Sequence, residues 1–186
     1  MIAIGTTRKP TQRIRSFIKE LSRVIPGSIR FTRGKQSFGE FCETAQNLGS
    51  TRILLVGAYH GNPGRLGFLE FNGELWEFQP PTIIIKTARL LRESKVKPTS
   101  GIKNLYVIPD SPSDQKNGEL LAQALDVPYS TREELPTPKG KSALLRVGIA
   151  QYRSIDFLSL DEQHPLGPSI VTKHFLTKPM GDQKRW

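Results

Sequence analysis

Apolar positions in this chain of 186 residues recur in two rhythms. Ile14, Phe17, Ile18, Leu21, Val24 and Ile25 fall at helical spacing. Pro10-Thr11 supplies a pre-set first turn and a capping hydroxyl, and Pro26-Gly27 stops the run. Ser37 and Glu40 form a capping box ahead of a second helix that puts Phe38, Phe41, Cys42, Ala45 and Leu48 on one face and ends at Gly49. Leu120, Leu121, Ala124 and Leu125 mark a third, closed by Val127-Pro128. Strands are predicted at 1–4, 28–33, 52–59, 66–71, 82–88, 104–108, 142–150, 155–160 and 169–176. Gly61-Asn62-Pro63-Gly64 and Asn72-Gly73 read as turns. Asp110, Ser111 and Ser113 read as helix caps. The pattern is that of an α/β protein with mixed sheets.

The order of elements repeats, and so do some of the letters. Pro81–Thr87 matches Pro168–His174 at an offset of 87, Gly67–Phe71 matches Asp156–Leu160 at 89, and Val56–Ala58 matches Val147–Ile149 at 91. Val24-Ile25-Pro26 against Asp126-Val127-Pro128 needs 102. The fall in offset is explained if the second half lacks a counterpart of the helix 37–48, for which 131–141 is too short and broken. The chain reads as two tandem related halves, 1–88 and 104–178, with a connection 89–103 and a tail 179–186.

Charge adds a direction. The formal balance is +10. Residues 1–100 hold 16 basic and 7 acidic residues, and residues 101–186 hold 11 and 10. Such asymmetry points to one face that attracts a polyanion. On the first helix Arg15, Lys19 and Arg23 form a stripe opposite the core. Arg8 and Lys9 sit at its entrance, and Arg30, Arg33 and Lys35 follow it. Arg89, Arg92, Lys95, Lys97 and Lys103 make the connection basic as well. Cations in this array neutralise phosphates without reading sequence, while Thr6, Thr7, Gln12 and Ser16 can add neutral hydrogen bonds.

Other chemistry is excluded by spacing. Arg33-Gly34-Lys35 is not a nucleotide phosphate loop, because six residues rather than four separate Gly27 from Gly34 and Gln36 follows the lysine. Gly34 serves either a close backbone approach to a phosphate or a turn. His60, His164 and His174 are scattered, Cys42 falls on an apolar helix face, and no Cys/His cluster has zinc spacing. The aromatic residues fall mostly at core positions, so no base-stacking platform is expected. No cofactor, metal, small-molecule substrate or membrane partner is implied.

The segment Thr6–Phe17, with Lys19, Leu21, Ile25-Pro26-Gly27 and Arg33-Gly34-Lys35, resembles the opening of the Brix domain. Pro81-Thr82-Ile83 is similar to the family's later strand entry, with Pro80 in place of its usual Gly. The resemblance implies a single Brix-like domain over 1–186. Its two halves would each be similar to the anticodon-binding domain of class IIa aminoacyl-tRNA synthetases. It further implies a non-enzymatic ribosome biogenesis factor that binds rRNA or pre-rRNA, with ribosome assembly proteins as further partners. Arg8, Lys9, Arg13, Arg15, Arg33 and Lys35 stand at family-motif positions. Eukaryotic relatives carry extensions ahead of the first strand, so an archaeal, cytoplasmic protein is expected. The rival readings are an RNA-modifying or hydrolytic enzyme, a protein–protein interaction module and a tRNA-binding protein.

Overall fold

In the computed structural model, which describes residues 1–137 and 140–178, the three helical runs become helices. The predicted tail 179–186 lies outside the described residues. In α1 (Gln12–Val24) the Thr11 hydroxyl accepts from the Ile14 N–H at 3.4 Å. Ahead of α2 (Phe38–Asn47) the Ser37 hydroxyl accepts from the Glu40 N–H at 3.2 Å, and the Glu40 carboxylate from the Ser37 N–H at 2.6 Å. α3 (Gln115–Leu125) follows a 3₁₀ turn, Pro112–Asp114. Its predicted caps do other work. Ser111 donates to Asp114, and the buried Asp114 carboxylate accepts from the N–H groups of Ile149 and Ala150 at 2.9 and 2.8 Å. Asp114 therefore ties down a loop 35 residues away, which local spacing could not announce.

The strands among the described residues are β1 (Ile2–Thr6), β2 (Ile29–Arg30), β3 (Arg52–Tyr59), β4 (Asn62–Phe71), β5 (Trp76–Arg89), β6 (Asn104–Pro109), β7 (Ser142–Gly148), β8 (Ser154–Leu158) and β9 (Pro165–Leu176). They form one mixed sheet in the order β2-β1-β3-β4-β5-β9-β8-β7-β6. The pairs β1/β2, β1/β3 and β6/β7 are parallel and the others antiparallel. The strand expected at 28–33 contracts to two residues. Asn62-Pro63-Gly64, read as a turn, lies within β4. A Cβ on Gly64 would stand 2.3 Å from that of Tyr59, so glycine lets two backbones close where a side chain would hold them apart.

The β5–β9 register maps onto itself under a shift of 87. Ile83–Phe175 becomes Ala88–Ile170, Ile84–His174 becomes Thr87–Val171, and Ile85–Thr172 is its own image. Outward from that seam, Leu66–Ile83 corresponds to Ile155–Ile170 and Val56–Leu66 to Val147–Ile155. Ile4–Leu54 likewise corresponds to Val107–Leu145.

Helices α1 and α3 cover one face, each reaching across the seam. α1 packs on β9 as well as β4, and α3 on β5 as well as β6. Phe17, Ile18, Leu54, Leu121, Leu145 and Phe157 share one core there. Full burial of such a side chain contributes about 1.5–3 kcal/mol. On the far face α2 lays Phe41, Cys42 and Ala45 over Ala3, Ile53, Leu55 and Leu69. Over β6–β8 the far face carries ion pairs. Arg146 lies 3.3 Å from Asp156, 3.8 Å from Asp110 and 3.7 Å from Glu162, while Arg132 lies 2.7 Å from Glu162 and 3.4 Å from Asp110. No helix among the described residues is long and apolar enough to cross a membrane.

Candidate nucleic-acid interface

Helical spacing puts Arg15 and Lys19, both exposed, and Arg23, half-buried, along the outer side of α1. Arg15 folds toward the helix entrance, where Nε and Nη2 donate to the Pro10 carbonyl at 3.2 and 3.0 Å. Arg8, Lys9 and Lys35 are exposed on the loops that follow β1 and β2. A shared acceptor joins these loops: the Gln36 carbonyl takes Arg8 Nε at 3.4 Å and Arg33 Nε at 3.1 Å. Lys9 adopts φ 53°, reversing the chain before Pro10. Arg30 is exposed on edge strand β2.

Two of the nine cations singled out in the sequence turn inward. Arg33 is only 6% exposed, with its guanidinium 5.5 Å from the centre of the Phe38 ring. Burial, with the Arg8 charge beside it, lowers its pKa. Arg13 makes a two-pronged ion pair with Glu93 and donates to the Ala88 carbonyl at 2.7 Å. The hydrogen bond from Arg13 to Glu93, more than any other cause, holds the Glu93 carboxyl below its usual range. Arg33 is thereby tied into its own loop, and Arg13, its side chain still 32% exposed, is held by the connection. Their partners lie in a distant segment or within the same loop, so a local reading could not separate them from the exposed set.

The connection supplies a cation outside that set. Its 3₁₀ turn, Leu91–Ser94, docks on α1 by donating the Leu91 N–H to the Glu20 carboxylate at 2.9 Å. Burial raises the Glu20 pKa, opposed by hydrogen bonds from the backbone of Leu91 and Arg92 and by the charges of Arg92 and Arg23. Arg92 thus stands with Arg23 about one carboxylate and lengthens the row.

An aromatic pair was missed. Tyr59, 67% exposed, meets His60 edge to face at 4.3 Å. The two line a cleft of about 300 Å³ with Arg13, Asn62 and Lys86. Thr11 pins this turn beside the start of α1 by donating to the Gly61 carbonyl at 2.6 Å. The available signal was a Tyr-His pair at the outer end of a buried strand. One such pair can take one base.

The face can bind phosphate oxygens through cations and stack a single base, and its described residues bring no activated nucleophile to it. Burial pushes the Cys42 thiol up to about 12, so it stays protonated at neutral pH. Among the described residues, no group of three or more His, Cys, Asp or Glu could hold a metal ion.

No family model matches the chain. A probable Brix domain-containing ribosomal biogenesis protein of Pyrococcus horikoshii is 30% identical over 192 residues, spanning 100% of this chain and 84% of that protein. One from Aeropyrum pernix is 34% identical over 135 residues, spanning 73% and 74%. Among solved structures, a probable ribosomal biogenesis protein from Aeropyrum pernix K1 superposes with a TM-score of 0.75 at 27% identity, covering 94% of this chain and 98% of that one. The archaeal Imp4-like protein Mil gives 0.62 at 21% identity, covering 93% and 97%, a likeness of fold alone.

Proposed function

The chain belongs to the family of Brix domain-containing ribosomal biogenesis proteins, and from that premise we propose that it binds rRNA or pre-rRNA while a ribosomal subunit is assembled, without catalysing a reaction. The observation that carries this reading is the continuous row of Arg15, Lys19, Arg23 and Arg92, extended by the linked loops that hold Arg8, Lys9 and Lys35. Phosphates of a folded RNA segment meet this row, one unstacked base meets Tyr59, and shape rather than base sequence selects the site. Small-subunit rRNA is the substrate expected to bind best, inside the archaeal cytoplasm and alongside ribosome assembly proteins.

The domain reading belongs to the same proposal. The chain is one Brix-like domain made of two tandem related halves, 1–88 and 104–178, each similar to the anticodon-binding domain of class IIa aminoacyl-tRNA synthetases. What supports the two halves is the β5–β9 register, which obeys the offset of 87 found between the matching letters.

The test is binding of the full chain to small-subunit rRNA and to bulk tRNA across a salt series. Engagement of about six phosphates gives a slope of log affinity against log salt of roughly −4 to −5. The expected result is tighter rRNA than tRNA binding at equal salt, with a shallower slope for the triple variant Arg15→Glu, Lys19→Glu, Arg23→Glu. Undiminished binding by that variant would remove the face from the proposal, and equal or negligible binding of both RNAs would remove the RNA.

A further inference from the structure

Negative charge in the first half is as segregated as positive charge. Residues 36–51 and 66–85 contain no Lys or Arg. They carry Glu40 and Glu43 in the first stretch and Glu70, Glu74 and Glu77 in the second. In a chain of +10 these are five of the seven acidic residues before position 101. The fold brings the two stretches together, because α2 and the β4–β5 hairpin share the far face of the sheet. Between them runs an open groove of about 530 Å³, lined by Phe38, Cys42, Glu43, Glu74, Leu75 and Trp76 among others.

The groove has an apolar floor and an acidic rim. Leu75 is 49% exposed on its wall, and Leu48, two residues beyond Gln46 of the lining, is 46% exposed. Both are large for solvent-facing positions. Glu40, Glu43, Glu74 and Glu77 are exposed, whereas Glu70 is paired with Arg52 at 2.8 Å. The indole N–H of Trp76 is enclosed and has no hydrogen-bond acceptor. A buried donor without a partner costs free energy until something accepts from it.

We propose that this groove docks an extended, basic segment of a partner protein, one that alternates Lys or Arg with apolar side chains. The apolar side chains cover Leu75 and the Phe38 edge, and the basic ones meet Glu43 and Glu74. Charge complementarity selects this occupant. A nucleic acid would bring phosphates to four exposed carboxylates, and an acidic peptide would fare no better. The groove belongs to the α2 side of the sheet and the cationic row to the α1 side, so this proposal does not depend on the RNA reading.

The test uses the full chain carrying Trp186→Phe, which leaves Trp76 as the single tryptophan reporter. An N-acetylated decapeptide of alternating Arg and Leu is titrated while Trp76 fluorescence is followed. Saturable binding is expected, weakened at least tenfold by Glu43→Lys with Glu74→Lys and changed less than twofold by Arg15→Glu with Lys19→Glu. Thermal melts confirm that both double variants fold, which their exposed positions favour. Equal binding by the Glu43/Glu74 variant would overturn the proposal, as would equal binding of an alternating Glu-Leu decapeptide. So would a matching Trp76 response to an RNA oligonucleotide. Deleting 179–186 should leave the affinity unchanged. A tenfold gain on that deletion would assign the groove to this chain's own tail and overturn the partner.

Discussion

The far face of the sheet is closed in two ways. Over β1, β3 and β4 a helix closes it with apolar side chains, and over β6–β8 ion pairs occupy it. The registers make the two regions comparable position by position. Leu55 pairs with Gly67 and lies under α2, while Arg146 and Asp156 pair at the corresponding place. Where the first region has a leucine opposite a glycine, the second has an arginine opposite an aspartate. The helix-covered face gains stability from area removed from water. The other gains less, because partly hydrated ion pairs spend much of their attraction on desolvation.

Phe41→Ala tests the stronger side. Its ring is fully buried, stacks on Phe31 at 4.7 Å, and fills the space a Cβ on Gly5 would need. Urea unfolding should show a loss of about 3–5 kcal/mol. Arg146→Ala, with the arginine side chain 31% exposed, should cost only about 1–2 kcal/mol, since solvent screens what is left unpaired. Equal losses would mean that the ion pairs close their face as firmly as the helix does.

A smaller effect sharpens the contrast through pH. A hydrogen bond from Arg132 holds the Glu162 carboxyl below its usual 4.5, so its contribution is complete above that value and is lost as pH falls through the lower, folded value. Burial raises Glu20, in the first half, with the opposite sign. Its contribution is complete below 4.5 and is lost as pH rises through the higher, folded value. Glu20→Gln should therefore raise the melting temperature at pH 7, and Glu162→Gln should lower it. Both differences should shrink toward pH 4 and stay under about 1 kcal/mol. Differences of the same sign at pH 7 would undo the comparison.

Elements with local signals were legible in the sequence. The Thr11 cap, the Ser37–Glu40 box and the strand Arg52–Tyr59, buried from Ile53 to Gly57, each lie within a few residues of what they specify. The strands β7, β8 and β9 were legible from their own apolar runs. What escaped depends on distant partners. Trp76–Pro81 joins β5 despite two prolines because β4 pairs with its first residues, from Trp76 to Gln79. Arg13 looks like any surface cation until Glu93 is brought to it from 80 residues away. Arg33 reads as part of an exposed loop, yet Phe38 and the Gln36 carbonyl draw it in. Charge composition picked out the cations along α1 but could not say which of the others are tied to partners within the fold.

The seam at Ile85 and Thr172 has a mechanical meaning. Because α1 rests partly on β9 and α3 partly on β5, each helix leans on a strand from the other side of the seam. The two ends of the sheet are thus tied by helix packing as well as by the irregular strand pairing at the seam. An RNA on the α1 side and a peptide on the α2 side, as proposed above, would lie on opposite faces of that one sheet. If both proposed contacts form, this cross-bracing would make the sheet a spacer that sets the angle between the two things it holds.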